Sequence, residues 1–271
     1  MAKISVIIST YNKHDWLEKT LWGYEFQTYR DFELLVADDG SDERTKNLIE
    51  ELRTKFSIKL IHVWHEDDGF RKCDILNKAI VASNSDYLFF SDGDCVPRKD
   101  LVEKHIKHRE KGRFLSGGYH KLPLNISEDI TIEDIKTQKC FDKDYLLSCG
   151  MKKSFRNNKL TSHGFKEWFL NHITTTKPSW NGHNSSGWKE DMLAINGYDE
   201  RMKYGGQDRE FGERLENYGI KGKQIRYSAI CVHLDHKRSY IDDEKWNFNR
   251  NLRKKVRKEG IKYTNYGIIK N

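Results

Sequence analysis

Tyr87-Leu88-Phe89-Phe90-Ser91-Asp92-Gly93-Asp94 is the stretch on which the reading of this chain turns. An apolar run of strand length opens directly onto two carboxylates around a glycine. Two hard anions where a buried strand emerges suit a divalent cation carrying a diphosphate. An Asp-Gly pair is equally an ordinary turn, so the neighbouring sequence has to choose between the two.

Upstream, strand-like runs at 4–9, 32–37, 58–63 and 87–91 alternate with helical patterns at 16–27, 43–56 and 74–82. That order predicts an α/β domain with a mostly parallel sheet and helices on both faces. The second run ends in Asp38-Asp39-Gly40-Ser41. Ligands of open α/β sheets collect beyond the carboxyl ends of the strands, so the acidic turns at 38–39 and 92–94 are expected on one edge. Taken alone, Asp38 and Asp39 could instead cap the helix that starts near Glu43.

The 271 residues, 37% hydrophobic and 12% aromatic, fit one large domain or a domain with an appendage, and exclude disorder over most of the chain. A net charge of +7 favours anionic partners such as nucleotides, nucleic acid or a lipid surface. Nucleic acid fits poorly, because the acidic turns would repel phosphates in the absence of metal. Cys73, Cys95, Cys140, Cys149 and Cys231 are scattered without Cys-x-x-Cys spacing, which predicts neither disulfides nor a zinc site. With no secretory pattern at the start and no window of eighteen apolar residues, the expectation is a cytoplasmic protein.

Val6-Ile7-Ile8-Ser9-Thr10-Tyr11-Asn12, the Asp38-Asp39-Gly40-Ser41 turn, Asp92-Gly93-Asp94 as an Asp-x-Asp motif and the stretch 180–211 together resemble the inverting family-2 glycosyltransferases of GT-A fold. Glu66-Asp67-Asp68-Gly69-Phe70-Arg71 and Tyr204-Gly205-Gly206-Gln207-Asp208-Arg209-Glu210-Phe211 are similar to the subgroup with a galactosyltransferase-type C-terminal segment, which includes bacterial chondroitin polymerase domains. The resemblance implies a nucleotide-sugar-binding half (1–121), an acceptor-binding and catalytic half of the same domain (122–243) and a basic tail (244–271). It implies a UDP-sugar donor, Mn2+ or Mg2+, and a glycan or glycolipid acceptor in bacterial capsule or lipopolysaccharide assembly. A hexose or N-acetylhexosamine would be moved, with galactose, GalNAc or GlcNAc favoured.

By the same resemblance, Thr10, Tyr11 and Asp39 contact uridine, with Asp38 supporting the turn or touching the base. Asp67 reads base or ribose, Arg71 approaches the diphosphate, Asp92 touches ribose or binds metal through water, and Gly206 lets backbone approach the sugar. Asp94 and His233 are the expected metal ligands. Asp208 is the expected base that deprotonates the acceptor hydroxyl, with Glu210 as second choice. The family usually carries an acidic residue where Gln207 stands. Acceptor binding falls to Trp180, as a flat ring for stacking, and to Asn184, which matches a position near the donor sugar. Trp188 and Tyr198 are expected to be packing residues.

Segment 122–179 shows no regular alternation and is expected to build the acceptor side. The tail sets Trp246, Phe248, Leu252 and Val256 among clustered bases. It reads either as a solvated helix packing those four residues on the domain or as peripheral contact with an anionic membrane. A non-catalytic UDP-sugar or glycan-binding module is the alternative to a transferase.

Overall fold

The computed structural model describes residues 3–236 and 243–270. Its first ninety residues follow the expected alternation: β1 (Ile4–Thr10), α1 (His14–Glu25), β2 (Phe32–Asp38), α2 (Glu43–Lys55), β3 (Leu60–Trp64), α3 (Lys72–Ala82) and β4 (Tyr87–Asp92). β5 (Cys95–Pro97), α4 (Leu101–His108), β6 (Arg113–Ser116) and β7 (Gly118–Lys121) complete the first half.

Every residue of β1 and β2 is buried, which explains why these strands read as unbroken apolar runs. The two-residue side-chain period then sorts them by face. Ile4, Val6, Ile8, Leu34 and Val36 pack against Leu17 and Leu21 of α1 and Ile49 and Leu52 of α2. Ile7, Leu35 and Ala37 pack on the other face against Ile75, Leu76 and Ala79 of α3.

Segment 122–179 forms short helices: α5 (Leu124–Asp129), α6 (Ile132–Lys136), α7 (Lys143–Ser148), α8 (Asn158–Thr161) and α9 (Gly164–Ile173). After it come β8 (Asn184–Trp188), α10 (Lys189–Ala194), α11 (Gln207–Tyr218), β9 (Lys221–Gln224), β10 (Ile230–His233) and α12 (Asp243–Glu259). Among the described residues the main sheet has the order β3-β2-β1-β4-β8-β6-β9, and β5-β10-β7 form a smaller one. β8 runs antiparallel to both β4 and β6, the departure from an otherwise parallel main sheet. Because β8 and β10 come from the second half and pair with strands of the first, the two halves share both sheets.

The tail helix α12 docks on α11 through Val256 and Asn249, both buried, and through Arg253, 2.6 Å from Glu213. Asn249 Nδ2 lies 2.8–3.2 Å from the carbonyls of Lys203, Tyr204 and Gly205, and so holds the loop ahead of α11. Of the four apolar tail residues, Leu252 and Val256 pack while Trp246 and Phe248 stay about half exposed. The expected boundary at 243/244 falls one residue inside α12 and adjoins residues outside the described ones.

Candidate functional site

The sheet register brings the motifs together. Thr10 at the end of β1 pairs with Asp38 at the end of β2, and Ser9 pairs with Asp92 at the end of β4. Beyond these ends lies a cleft of about 550 Å³ whose walls include Thr10, Tyr11, Asp39, Asp92, Asp94 and Asp208.

One wall is built from the acidic turn after β2. Asp38 accepts from the Ser41 amide at 2.8 Å and lies 2.8 Å from His62 Nε2, so it supports the turn. Asp39 lies 2.8 Å from His65 Nε2 and accepts from the Arg71 amide at 3.0 Å. Burial pushes its carboxyl up, and the His65 hydrogen bond pulls the other way. Neither residue caps α2, whose N-cap position is Asp42. Gly40, at φ +89°, allows the backbone of Asp67 to lie against the turn; a Cβ there would sit 2.6 Å from Asp67 Cα. Asp67 in turn accepts from the Tyr11 hydroxyl at 2.9 Å. The side chain of Arg71 turns to Asp74, so this residue supports Asp39 with its amide while its guanidinium is held by an ion pair.

Lys72, which sequence reasoning passed over, lines the cleft, whereas the Arg71 guanidinium is turned to Asp74. Its ammonium lies in the cleft 2.7 Å from Asp92, which also accepts from Ser9 Oγ at 2.7 Å. Burial works against both charges, yet their mutual attraction prevails, with Asp208 and Asp94 also drawing on Lys72. The lysine is therefore held protonated and the Asp92 carboxyl well below the usual carboxylate range.

Asp94 Oδ2 lies 3.6 Å from His233 Nε2 and 2.9 Å from His236 Nε2. Asp94, Cys95 and His233 offer donor atoms within 4.8 Å of one another, and His233 is the last residue of β10. Burial pushes the Cys95 thiol up. His236 was missed; the His233-x-x-His236 spacing just past a strand was the available signal.

Asp208 sits in the first turn of α11, where Gly206 is the N-cap, and both line the cleft. Its carboxylate rests against Gly182, at φ +64°: a Cβ there would lie 2.4 Å from Asp208 Oδ1. Burial pushes the Asp208 carboxyl up to about 6; Lys72 opposes the rise and Asp92 adds to it. Asp208 Oδ1 and Thr10 Oγ1 are buried and have no hydrogen-bond partner among the described residues. The imidazole of His183, pushed down to about 4 mainly by burial, leaves Nε2 in the same condition. Gln207 accepts from the Gly205 amide at 3.0 Å. Glu210 is committed to Arg214 at 2.6 Å in a fully buried pair, which removes it as a second base.

Two expected sugar contacts are corrected. Trp180 is fully buried among Phe90, Phe114 and Phe211, with Nε1 donating to the Tyr198 hydroxyl at 2.8 Å, so its ring is a core element with no face for an acceptor. Tyr198 is core as expected. Asn184, also fully buried, donates to the Gly118 carbonyl at 2.7 Å and lies 2.8 Å from His105 Nε2. It ties β8 to its neighbours, and its amide is spent on protein partners.

A mostly parallel sheet with acidic turns at the ends of β2 and β4 and a carboxylate helix facing them is the GT-A glycosyltransferase arrangement. The chain belongs to glycosyl transferase family 2, whose model matches residues 5–144, and the model for the N-terminal domain of galactosyltransferase matches residues 170–237. It is 25% identical over 255 residues to the Escherichia coli chondroitin synthase, covering 86% of this chain and 34% of that protein. The structure of S. aureus TarS 1-349 in complex with UDP-GlcNAc superposes with a TM-score of 0.64 at 14% identity, over 93% of this chain and 65% of that one. The mannosyltransferase PcManGT from Pyrobaculum calidifontis, in complex with GDP-Man and Mn2+, gives 0.58 at 17% identity, over 88% and 58%. The chain thus spans less than two thirds of the length of each of these proteins.

Proposed function

We propose that this chain moves a hexose or N-acetylhexosamine, with galactose, GalNAc or GlcNAc favoured, from a UDP-sugar to a hydroxyl of a bacterial surface glycan or its lipid-linked precursor. The carrying observation is Asp208: a carboxyl near pH 6 with an unpartnered oxygen, in one cleft with Asp92 and Asp94.

On this reading, Tyr11, Thr10, Asp39 and Asp67 hold the nucleoside, and Asp92 positions the ribose. Asp94 and His233, with His236 in reach, fit a divalent cation; the mixed oxygen and imidazole donors favour Mn2+ over Mg2+. When bound, the cation would offset the charge of the diphosphate and ease its departure. Lys72 adds a fixed positive charge beside the same group. Asp208 takes the proton from the acceptor hydroxyl as its oxygen attacks the anomeric carbon from the face opposite the nucleoside diphosphate. The bond to the diphosphate breaks and the configuration inverts.

The test is UDP release from a panel of UDP-sugars with Mn2+, Mg2+ or chelator, with and without candidate acceptors, for wild type and Asp208→Asn. Metal-dependent release by the wild type alone supports the reading. UDP binding with Mn2+ but no turnover on any donor and acceptor would instead favour the binding module, in which Gln207 has replaced an acid. Absence of UDP binding would remove both.

A further inference from the structure

The outer face of α9 wears the wrong residues for a surface turned to water. Phe165, Trp168, Phe169 and Ile173 recur at helical spacing, 45–77% exposed, while the inward side carries the buried Leu170 and Glu167. Phe165 stacks on Trp168 at 5.6 Å between ring centroids and approaches Phe169 at 6.2 Å, so the stripe is one continuous apolar ridge. Phe155, 66% exposed, adds a further ring from the segment preceding α8.

The helix is seated from its inner side. Glu167 pairs with Lys104 at 2.9 Å, and Asn171 donates to Ser228 Oγ at 2.8 Å and accepts from the Tyr227 amide at 3.0 Å. Firm seating with the rings outward means that the stripe is displayed by the fold.

The charges of the segment that carries the ridge are almost all of one sign, with Asp142 and Asp144 beside Lys143 as the nearby exposed acids in sequence. From 151 to 178 the chain carries six basic residues and a single acid, Glu167, which is buried and already paired. Lys143, Lys152, Lys153, Arg156 and Lys166 form no ion pair among the described residues. Lys143, Lys153 and Lys166 open onto a polar hollow of about 500 Å³ together with Asn157 and Thr161. We infer that this face docks on an anionic phospholipid bilayer, the α9 rings entering the boundary of the headgroups and the lysines holding lipid phosphates.

The chemistry selects this occupant over others. A second copy would set one lysine cluster against another. An uncharged glycan would leave the unpaired cations without counter-charge. A bilayer supplies both an apolar boundary for amphipathic rings and a sheet of phosphates. No described helix is long and apolar enough to cross a membrane, so the contact is peripheral. The assignment differs from the tail, whose helix buries Asn249 and Val256 against the domain, and it does not depend on the transferase reading.

The experiment is flotation of the full chain with vesicles of pure phosphatidylcholine or phosphatidylglycerol, at low and high salt. Partition into phosphatidylglycerol alone, weakened by salt, is expected. Phe165→Ser combined with Phe169→Ser, and separately Lys153→Glu combined with Lys166→Glu, should each lower it by about tenfold. Thermal melting must show each variant folded, and a blue-shifted, lipid-quenched Trp168 signal, identified by its absence in Trp168→Phe, would place the ring in the bilayer. No partition at low salt overturns the proposal. So does partition that survives these variants but is lost with Lys254→Glu and Lys255→Glu on α12, or lipid-free dimerisation abolished by Phe165→Ser.

Discussion

The two walls of the cleft are finished to different degrees. On the wall after β2, each carboxylate already has protein partners: Asp38 has Ser41 and His62, Asp39 has His65 and the Arg71 amide, Asp67 has Tyr11. On the wall formed by the start of α11 and the segment before β8, Asp208 Oδ1 and His183 Nε2 are buried without partners among the described residues. Buried polar atoms of this kind are satisfied by water or by a ligand that enters the cleft. The first wall is a template set in advance. The second presents polar atoms that a ligand can meet, which is where chemistry is expected.

The sharpest way to break this contrast is at Asp208. Asp208→Asn should lower the transfer rate by about 10³–10⁴ in a single-turnover assay while UDP affinity stays within about twofold. Equal losses in binding and rate would place the residue on the template side. Because its carboxyl is held near 6, above the ordinary 3.8, the rate should fall about tenfold per unit as pH drops below 6. The sign for stability is opposite to that of a salt-bridged acid. Ionisation costs the folded state, so stability is undiminished below about pH 4 and declines as pH rises to about 6. Asp208→Asn should therefore raise stability at pH 7 by about 1–3 kcal/mol, read by urea denaturation.

Trp180 tests the correction that moved a sugar platform into the core. Trp180→Ala should cost about 3–5 kcal/mol of folding stability. Trp180→Phe should leave the KM for acceptor unchanged; a raised KM with unaltered stability would restore the sugar contact. Asp94→Ala should weaken UDP binding about 100-fold in Mn2+ and leave binding in chelator unchanged, by calorimetry. The smallest effect belongs to the prearranged wall: His65→Ala should weaken UDP binding about tenfold, with or without metal, because Asp39 loses one hydrogen bond.

What could be read from the chain follows the reach of its interactions. β1, β2 and β4 were legible because a strand buried on both faces must be apolar throughout, and an acidic turn at its end stands out against it. That Asp94, His233 and Asp208 meet in one cleft was legible from their places at element ends, together with a family resemblance. Short helices between 122 and 179 carry too few residues to impose a period, although Thr131 and Asp134 form a capping box at the start of α6 and Asp142 caps α7. Trp180 misled because its local sequence, Trp-Asn-Gly-His, has the mixture that binds sugar, while the rings that enclose it arrive from positions 90, 114, 198 and 211. Lys72 and His183 gained their meaning only when folding set them beside Asp92.

Asn249 gives a practical rule for anyone trimming this protein. The second family match stops at residue 237, yet the amide that braces the loop leading to the proposed base comes from α12. A fragment cut to the matched segments would keep every motif and lose the brace behind them. For this chain the limits of recognisable kinship and the limits of the working machine fall in different places.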